Sequence, residues 1–125
     1  MTLRTGIDIL EIGRLQEVLD RHGRRFLERV FTERELAEVA GKPASLAARF
    51  AAKEAVSKAL GTGIGMVGWQ EVEILRGEKG EPVLYLSGKA KWLAEELGLT
   101  SWAISLSHSR LYAVAVAIAS AGTSD

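Results

Sequence analysis

Thr5 to Leu10 is a short apolar stretch interrupted by Asp8, and it predicts a first strand. From Ile12 the apolar positions recur three and four residues apart. Ile12, Leu15, Val18 and Leu19 form one set, and Phe26, Leu27, Val30 and Phe31 form a second. That is the spacing of helices burying one stripe, and Gly23 between the sets predicts a break. Thr32-Glu33-Arg34-Glu35 reads as a variant capping box opening a short helix from Glu33 to Ala40, which Gly41-Lys42-Pro43 ends. A long helix follows from about Ala44 to Leu60, with Gly61 as its stop.

The second half changes period. Glu71 to Leu75 and Val83 to Leu86 read as strands on either side of the turn-rich segment from Gly77 to Pro82. Gly88 to Leu97 reads as a helix with Trp92, Leu93 and Leu97 on its packed side and Gly98 as its C-terminal stop. Trp102 to Leu106 and Leu111 to Ile118 are strands joined by the polar Ser107-His108-Ser109-Arg110. The pattern predicts an α+β fold, one domain over residues 1–119 with a largely antiparallel sheet and a long central helix, then a polar tail at 120–125.

Composition narrows the chemistry. Of 125 residues, 47% are hydrophobic and 26% charged, ordinary values for a chain that buries its own core. With no cysteine, thiolate catalysis, disulfides and thiolate-bound zinc or iron are excluded. His22 and His108 cannot complete a His-rich metal site, so any metal must take mainly oxygen ligands, which points to a magnesium-like cation. The formal net charge of zero argues against a dedicated nucleic-acid binder. The start lacks the apolar core of a signal peptide, and the run Leu111 to Ala119 is about half of what a membrane helix needs. A cytoplasmic protein is the expectation.

The long helix is unusual. At 100° per residue, Ala47, Ala48, Ala51, Ala52, Ala55 and Ala59 share one small-residue face, while Leu46, Phe50, Val56 and Leu60 make a larger apolar face. Arg49, Lys53, Glu54 and Lys58 are left without a clean polar side, and charges embedded in a buried helix need partners. Glu54 and Lys58 could simply pair at i, i+4. Asp8 is also out of place, because strand alternation sets Gly6, Asp8 and Leu10 on one face. Either Asp8 is a solvated strand edge, or Asp8 and Glu54 are two carboxylates converging on a hard cation whose remaining ligands are phosphates and water. Gly61-Thr62-Gly63-Ile64-Gly65 follows a helix rather than preceding one, so it is not a conventional phosphate loop. It reads as a C-cap and turn, or as a glycine-lined approach for a bulky ligand. The segment around His108 is a plain polar turn or a cluster of phosphate donors, and no nucleophile elbow marks a serine hydrolase.

Together these segments resemble a known family. Gly6-Ile7-Asp8-Ile9, the run from Arg49 to Gly63, and Ser105-Leu106-Ser107-His108-Ser109 are similar to the holo-[acyl-carrier-protein] synthases, the small phosphopantetheinyl transferases. The resemblance spans about Thr5 to Ala119. It implies Mg2+-dependent transfer of the phosphopantetheine arm of coenzyme A to a serine of apo acyl carrier protein, leaving adenosine 3′,5′-bisphosphate. It further implies Asp8 and Glu54 as metal ligands and catalytic residues, and Lys58 as the cation neutralising phosphate charge. Arg49, Lys53, Lys58, Gly61, Gly63 and His108 are implied to bind the coenzyme, and Glu54 or a metal-bound water to be the base. A homotrimer with active sites at subunit boundaries is also implied. The rival reading is a non-catalytic coenzyme A or nucleotide-binding module, which gains little from acids beside a pyrophosphate.

Residues 14 to 29 hold five arginines against three acids in a neutral chain. If the helix runs on through Gly23, Arg14, Arg21 and Arg25 fall within about 40° of one another, beside the apolar stripe. Acyl carrier proteins are acidic as a class, so this face is the expected docking surface for the carrier.

Overall fold

The computed structural model describes residues 2–121. β1 (Thr2–Glu11) leads into four helices, α1 (Ile12–His22), α2 (Arg24–Val30), α3 (Glu33–Val39) and α4 (Pro43–Leu60). A single 3₁₀ turn (Trp69–Glu71) then precedes β2 (Val72–Arg76), β3 (Pro82–Leu86), α5 (Gly88–Glu96), β4 (Leu99–His108) and β5 (Tyr112–Ala121). The α+β expectation holds, and its antiparallel strands divide into two sheets, β1-β5-β4 and β2-β3.

β1 is longer than its apolar run because it pairs with β5 along its whole length, from Thr2 opposite Ala121 to Glu11 opposite Tyr112. The same pairing carries β5 through Ser120 and Ala121, so the expected polar tail begins later; its last four residues lie outside the described ones. β4 takes in Ser107 and His108, which leaves Ser109, Arg110 and Leu111 as the turn. Ser109 Oγ accepts from the N–H groups of Leu111 and Tyr112 there.

Gly23 does break the first helical segment, at φ 55° and ψ −127°. The capping box of α3 is complete: Thr32 Oγ accepts from Glu35 N at 3.1 Å and Glu35 Oε1 accepts from Thr32 N at 2.9 Å. Two expectations fail. Glu71 belongs to the 3₁₀ turn rather than to β2, because its carboxylate accepts from Gly68 N and Ala90 N and caps the start of α5. Trp92 is 56% exposed, because α5 lays Ala90 and Ala94, four residues apart, against the core instead.

α4 crosses the inner face of the three-stranded sheet. Ala51, Ala55 and Ala59 are fully or almost fully buried, as are Ala113, Ala115, Ala117 and Ala119 on β5. Small residues on both surfaces let helix and sheet approach closely. At Gly6 the approach is so tight that an added Cβ would stand 2.8 Å from the Ala55 carbonyl carbon and 2.9 Å from Ala59 N. The opposite face of the sheet is left open, with Leu3, Ile7, Ile9 and Ile118 exposed.

Candidate active site

Alternation on β1 turns Gly6, Asp8 and Leu10 toward α4 while Ile7 and Ile9 point away. Because glycine at position 6 admits the helix so closely, Asp8 two residues later is carried to the exposed stripe of α4. Phe50, Glu54 and Lys58 lie on that stripe, each one turn from the next. Lys58 Nζ donates to Ile7 O at 2.9 Å and pairs with Asp8 Oδ1 at 3.3 Å. The i, i+4 pair of Glu54 with Lys58 does not form, and among the described residues Glu54 has no ion-pair partner. Burial raises the affinity of the Glu54 carboxyl for its proton, the neighbouring Asp8 charge raises it further, and Lys58 partly offsets both. Asp8, Glu54 and Lys58 are therefore brought together as expected.

The stripe lies between two open cavities. Phe50 lines one of about 570 Å³, whose floor includes Leu15, Val18 and Phe26 and whose wall carries Arg14 and Arg21. Lys58 lines the other, of about 460 Å³, with Gly6 and Ile7. Aromatic contacts build the first cavity's wall: Phe50 packs 6.0 Å from Phe26 and 4.8 Å from Trp69, centroid to centroid. A third cavity, of about 170 Å³, gathers Arg49, Arg76, Ser45 and His108. His108 reaches it because the last position of β4 faces α4. Arg49 is held there by Glu38 Oε1 at 2.9 Å and Ile74 O at 2.7 Å.

Lys53 does not join any of these. Its ammonium is fully buried and spends its three protons on Glu35 at 2.8 Å, Trp69 O at 3.0 Å and Val72 O at 2.7 Å. Burial lowers its pKa from the ordinary lysine value, with Glu35 acting in the opposite direction. A lysine so enclosed cannot hold a coenzyme phosphate; it ties α4 to the 3₁₀ turn and β2. Arg25 also departs from expectation. Gly23 swings α2 away from the line of α1, and Arg25 is exposed outside the cavity that Arg14 and Arg21 line.

Gly61 ends α4 in the left-handed region at φ 85°, and the N–H groups of Thr62 and Gly63 bond Ser57 O at 3.2 Å. The glycine segment is thus a helix C-cap. Sequence reasoning missed Arg76 and Ser45 in the small cavity, and also Glu35, whose capping-box pattern concealed that its second oxygen accepts from Ile74 N at 2.8 Å.

Two carboxylates from different elements, one of them without an ion-pair partner among the described residues and with its proton affinity raised by burial and by the other's charge, suit a hard divalent cation. No group of three or more metal-ligating side chains forms among the described residues. The rest of such a cation's shell must come from water and substrate oxygens, the usual arrangement for magnesium on phosphates.

Comparison with known proteins bears on this geometry. A family model described as the 4′-phosphopantetheinyl transferase superfamily matches residues 4–117. The chain is 49% identical to the holo-[acyl-carrier-protein] synthase of Ruminiclostridium cellulolyticum, over 99% of this chain and 96% of that protein. It is also 49% identical to the enzyme of the same name from Moorella thermoacetica, over 98% of each. Among solved structures, the Helicobacter pylori holo-[acyl-carrier-protein] synthase in complex with coenzyme A superposes with a TM-score of 0.86 at 35% identity, covering 93% of this chain and 99% of that one. The Neisseria meningitidis synthase gives 0.84 at 37% identity over 94% and 97%. On this agreement of sequence and fold, the chain belongs to the 4′-phosphopantetheinyl transferase superfamily.

Proposed function

We propose that this protein is a holo-[acyl-carrier-protein] synthase: it transfers 4′-phosphopantetheine from coenzyme A to a serine of apo acyl carrier protein. The observation that carries the reading is the convergence of Asp8, Glu54 and Lys58 between two open cavities. The H. pylori relative, of the same fold, is described with coenzyme A bound.

In the reaction the serine oxygen forms a bond to the phosphorus attached to pantetheine, and the bond from that phosphorus to adenosine 3′,5′-bisphosphate breaks. The serine proton passes to a base. Asp8 and Glu54 would hold Mg2+, which when bound neutralises the pyrophosphate and orients it for in-line displacement. Glu54, with two carboxylate oxygens and no ion-pair partner among the described residues, would offer one oxygen to the cation and the other to the serine proton. Lys58, its side chain 49% exposed, can reach the charge that develops on the leaving phosphate. Arg49 and His108, with Arg76 beside them, face the small cavity and would hold a phosphate at the nucleotide end. At Gly63 an added Cβ would meet nothing, so the end of α4 is open to the coenzyme there, while at Gly61 the Arg4 guanidinium occupies that space.

Arg14 and Arg21 flank the apolar cavity beside Phe50, and this face receives the acidic carrier. The open apolar face of β1 and β5 supports a homotrimer with its active sites at subunit boundaries, in which a neighbouring copy covers Leu3, Ile7 and Ile9. Among the described residues no helix is long and apolar enough to cross a membrane, and the reading places the enzyme in the cytoplasm.

The direct test is mass spectrometry of apo carrier protein incubated with this protein, coenzyme A and magnesium. A phosphopantetheine adduct is expected, and it should vanish with Asp8→Asn and with Glu54→Gln. Binding of coenzyme A with no adduct on any carrier would leave only a coenzyme-binding module. Light scattering at micromolar concentration should give the mass of a trimer.

A further inference from the structure

The two carboxylates of the site are not equivalent. Asp8 already carries a cation supplied by the chain itself, the Lys58 ammonium at 3.3 Å, whereas Glu54 forms no ion pair among the described residues. Lys58 is bound loosely. Its side chain is 49% exposed, its other acceptor is the neutral Ile7 carbonyl, and exposed pairs of this kind are weak. A divalent cation brings twice the charge to the same oxygens, and it repels an ammonium a few ångströms away.

We propose that Lys58 is the resident counter-cation of Asp8, and that a divalent cation entering between Asp8 and Glu54 displaces it and so releases the ammonium toward the substrate phosphates. The inference rests on the reading of Asp8 and Glu54 as metal ligands and adds a coupling to it. In the free protein Lys58 competes with the metal. Once coenzyme phosphates give the ammonium another partner, that competition ends. Metal and coenzyme must then strengthen each other's binding by the same factor. One lysine thereby neutralises Asp8 while the site is empty and serves the phosphates when it is filled.

The test uses the full-length protein without coenzyme and reads binding, not turnover. Mn2+ is titrated into wild type, Lys58→Met and Asp8→Asn, and the free ion is followed by electron paramagnetic resonance. Lys58→Met is expected to bind Mn2+ roughly three- to tenfold more tightly than wild type, from the lost pair and the lost repulsion. Equal or weaker binding by Lys58→Met, alongside measurable binding by wild type, overturns the proposal. A second measurement needs no lysine variant: acetic anhydride labelling of Lys58 in wild type, quantified by mass spectrometry, should rise when Mg2+ is added. In Asp8→Asn the labelling should start high and ignore Mg2+. Labelling of wild type that Mg2+ leaves unchanged also overturns the displacement. If no form binds Mn2+, with or without coenzyme A, the metal-ligand reading itself is wrong and the coupling falls with it.

Discussion

Gly6→Ala is the smallest change with the largest expected consequence. The new methyl carbon would meet backbone only: the Ala55 carbonyl carbon at 2.8 Å, Ala59 N at 2.9 Å, and the Ala55 carbonyl oxygen closer still. No side chain can rotate aside, so β1 and α4 must separate by more than an ångström along their tightest contact. Overpacking a core typically costs about 1–3 kcal/mol, and a clash against rigid backbone belongs at the upper end of that range. For a chain of 125 residues, about 3 kcal/mol corresponds to a fall in melting temperature of about 10 °C. The functional effect should be larger than the thermal one. Asp8 lies two residues further along the displaced strand, and a shift of about 1 Å in a reacting constellation can cost on the order of a hundredfold in rate. Thermal denaturation followed by circular dichroism gives the first quantity, and the carrier-protein mass-shift assay gives the second. A Gly6→Ala variant that melts within about 2 °C of wild type and transfers at the normal rate would refute the claim that this contact sets the spacing of Asp8 and Glu54.

The other predictions concern different parts of the molecule. Lys53→Met leaves the Glu35 carboxylate buried without its cation, and should destabilise by about 3–5 kcal/mol in urea unfolding; a loss below about 1 kcal/mol would mean the pair is not enclosed. Arg14→Ala and Arg21→Ala should each raise the KM for the carrier several-fold, more so at low salt, and leave the KM for coenzyme A unchanged; Arg25→Ala, off the cavity, should change neither. Burial pushes the Glu73 carboxyl up, but its bonds to Arg34 and Thr32 outweigh that and hold it below its ordinary value. Its stabilisation is therefore complete above the unfolded-state pKa of about 4.5 and is lost as the pH falls through its folded value. Glu73→Gln should flatten the acid limb of a stability-against-pH profile, and an unchanged limb would assign acid sensitivity elsewhere.

How much of this was legible beforehand depended on the range of the interaction. Features set by residues close in the chain could be read directly. The capping box at Thr32 and Glu35, the break at Gly23, the stop at Gly61 and the burial of most of α4 each follow from spacing over a few residues. The motif from Arg49 to Gly63 stood out because four charges in an otherwise apolar helix are improbable without partners. Identifying those partners required knowing which element lies on which side of the helix. Lys53 and Lys58 are the same residue type on one helix. Lys53 faces α3 and β2 and is sealed against Glu35, while Lys58 faces β1, reaches Asp8 and remains half exposed. Likewise Arg25 lost its place beside Arg14 and Arg21 because of one glycine's backbone angles, and Arg76 joined Arg49 and His108 only because β2 ends where α4 and β4 meet. Local sequence thus determined the elements and marked the charged residues as anomalous. Packing between elements distant in the chain decided which charges are structural and which are free to act, because burial and pairing depend on neighbours that adjacent residues do not specify.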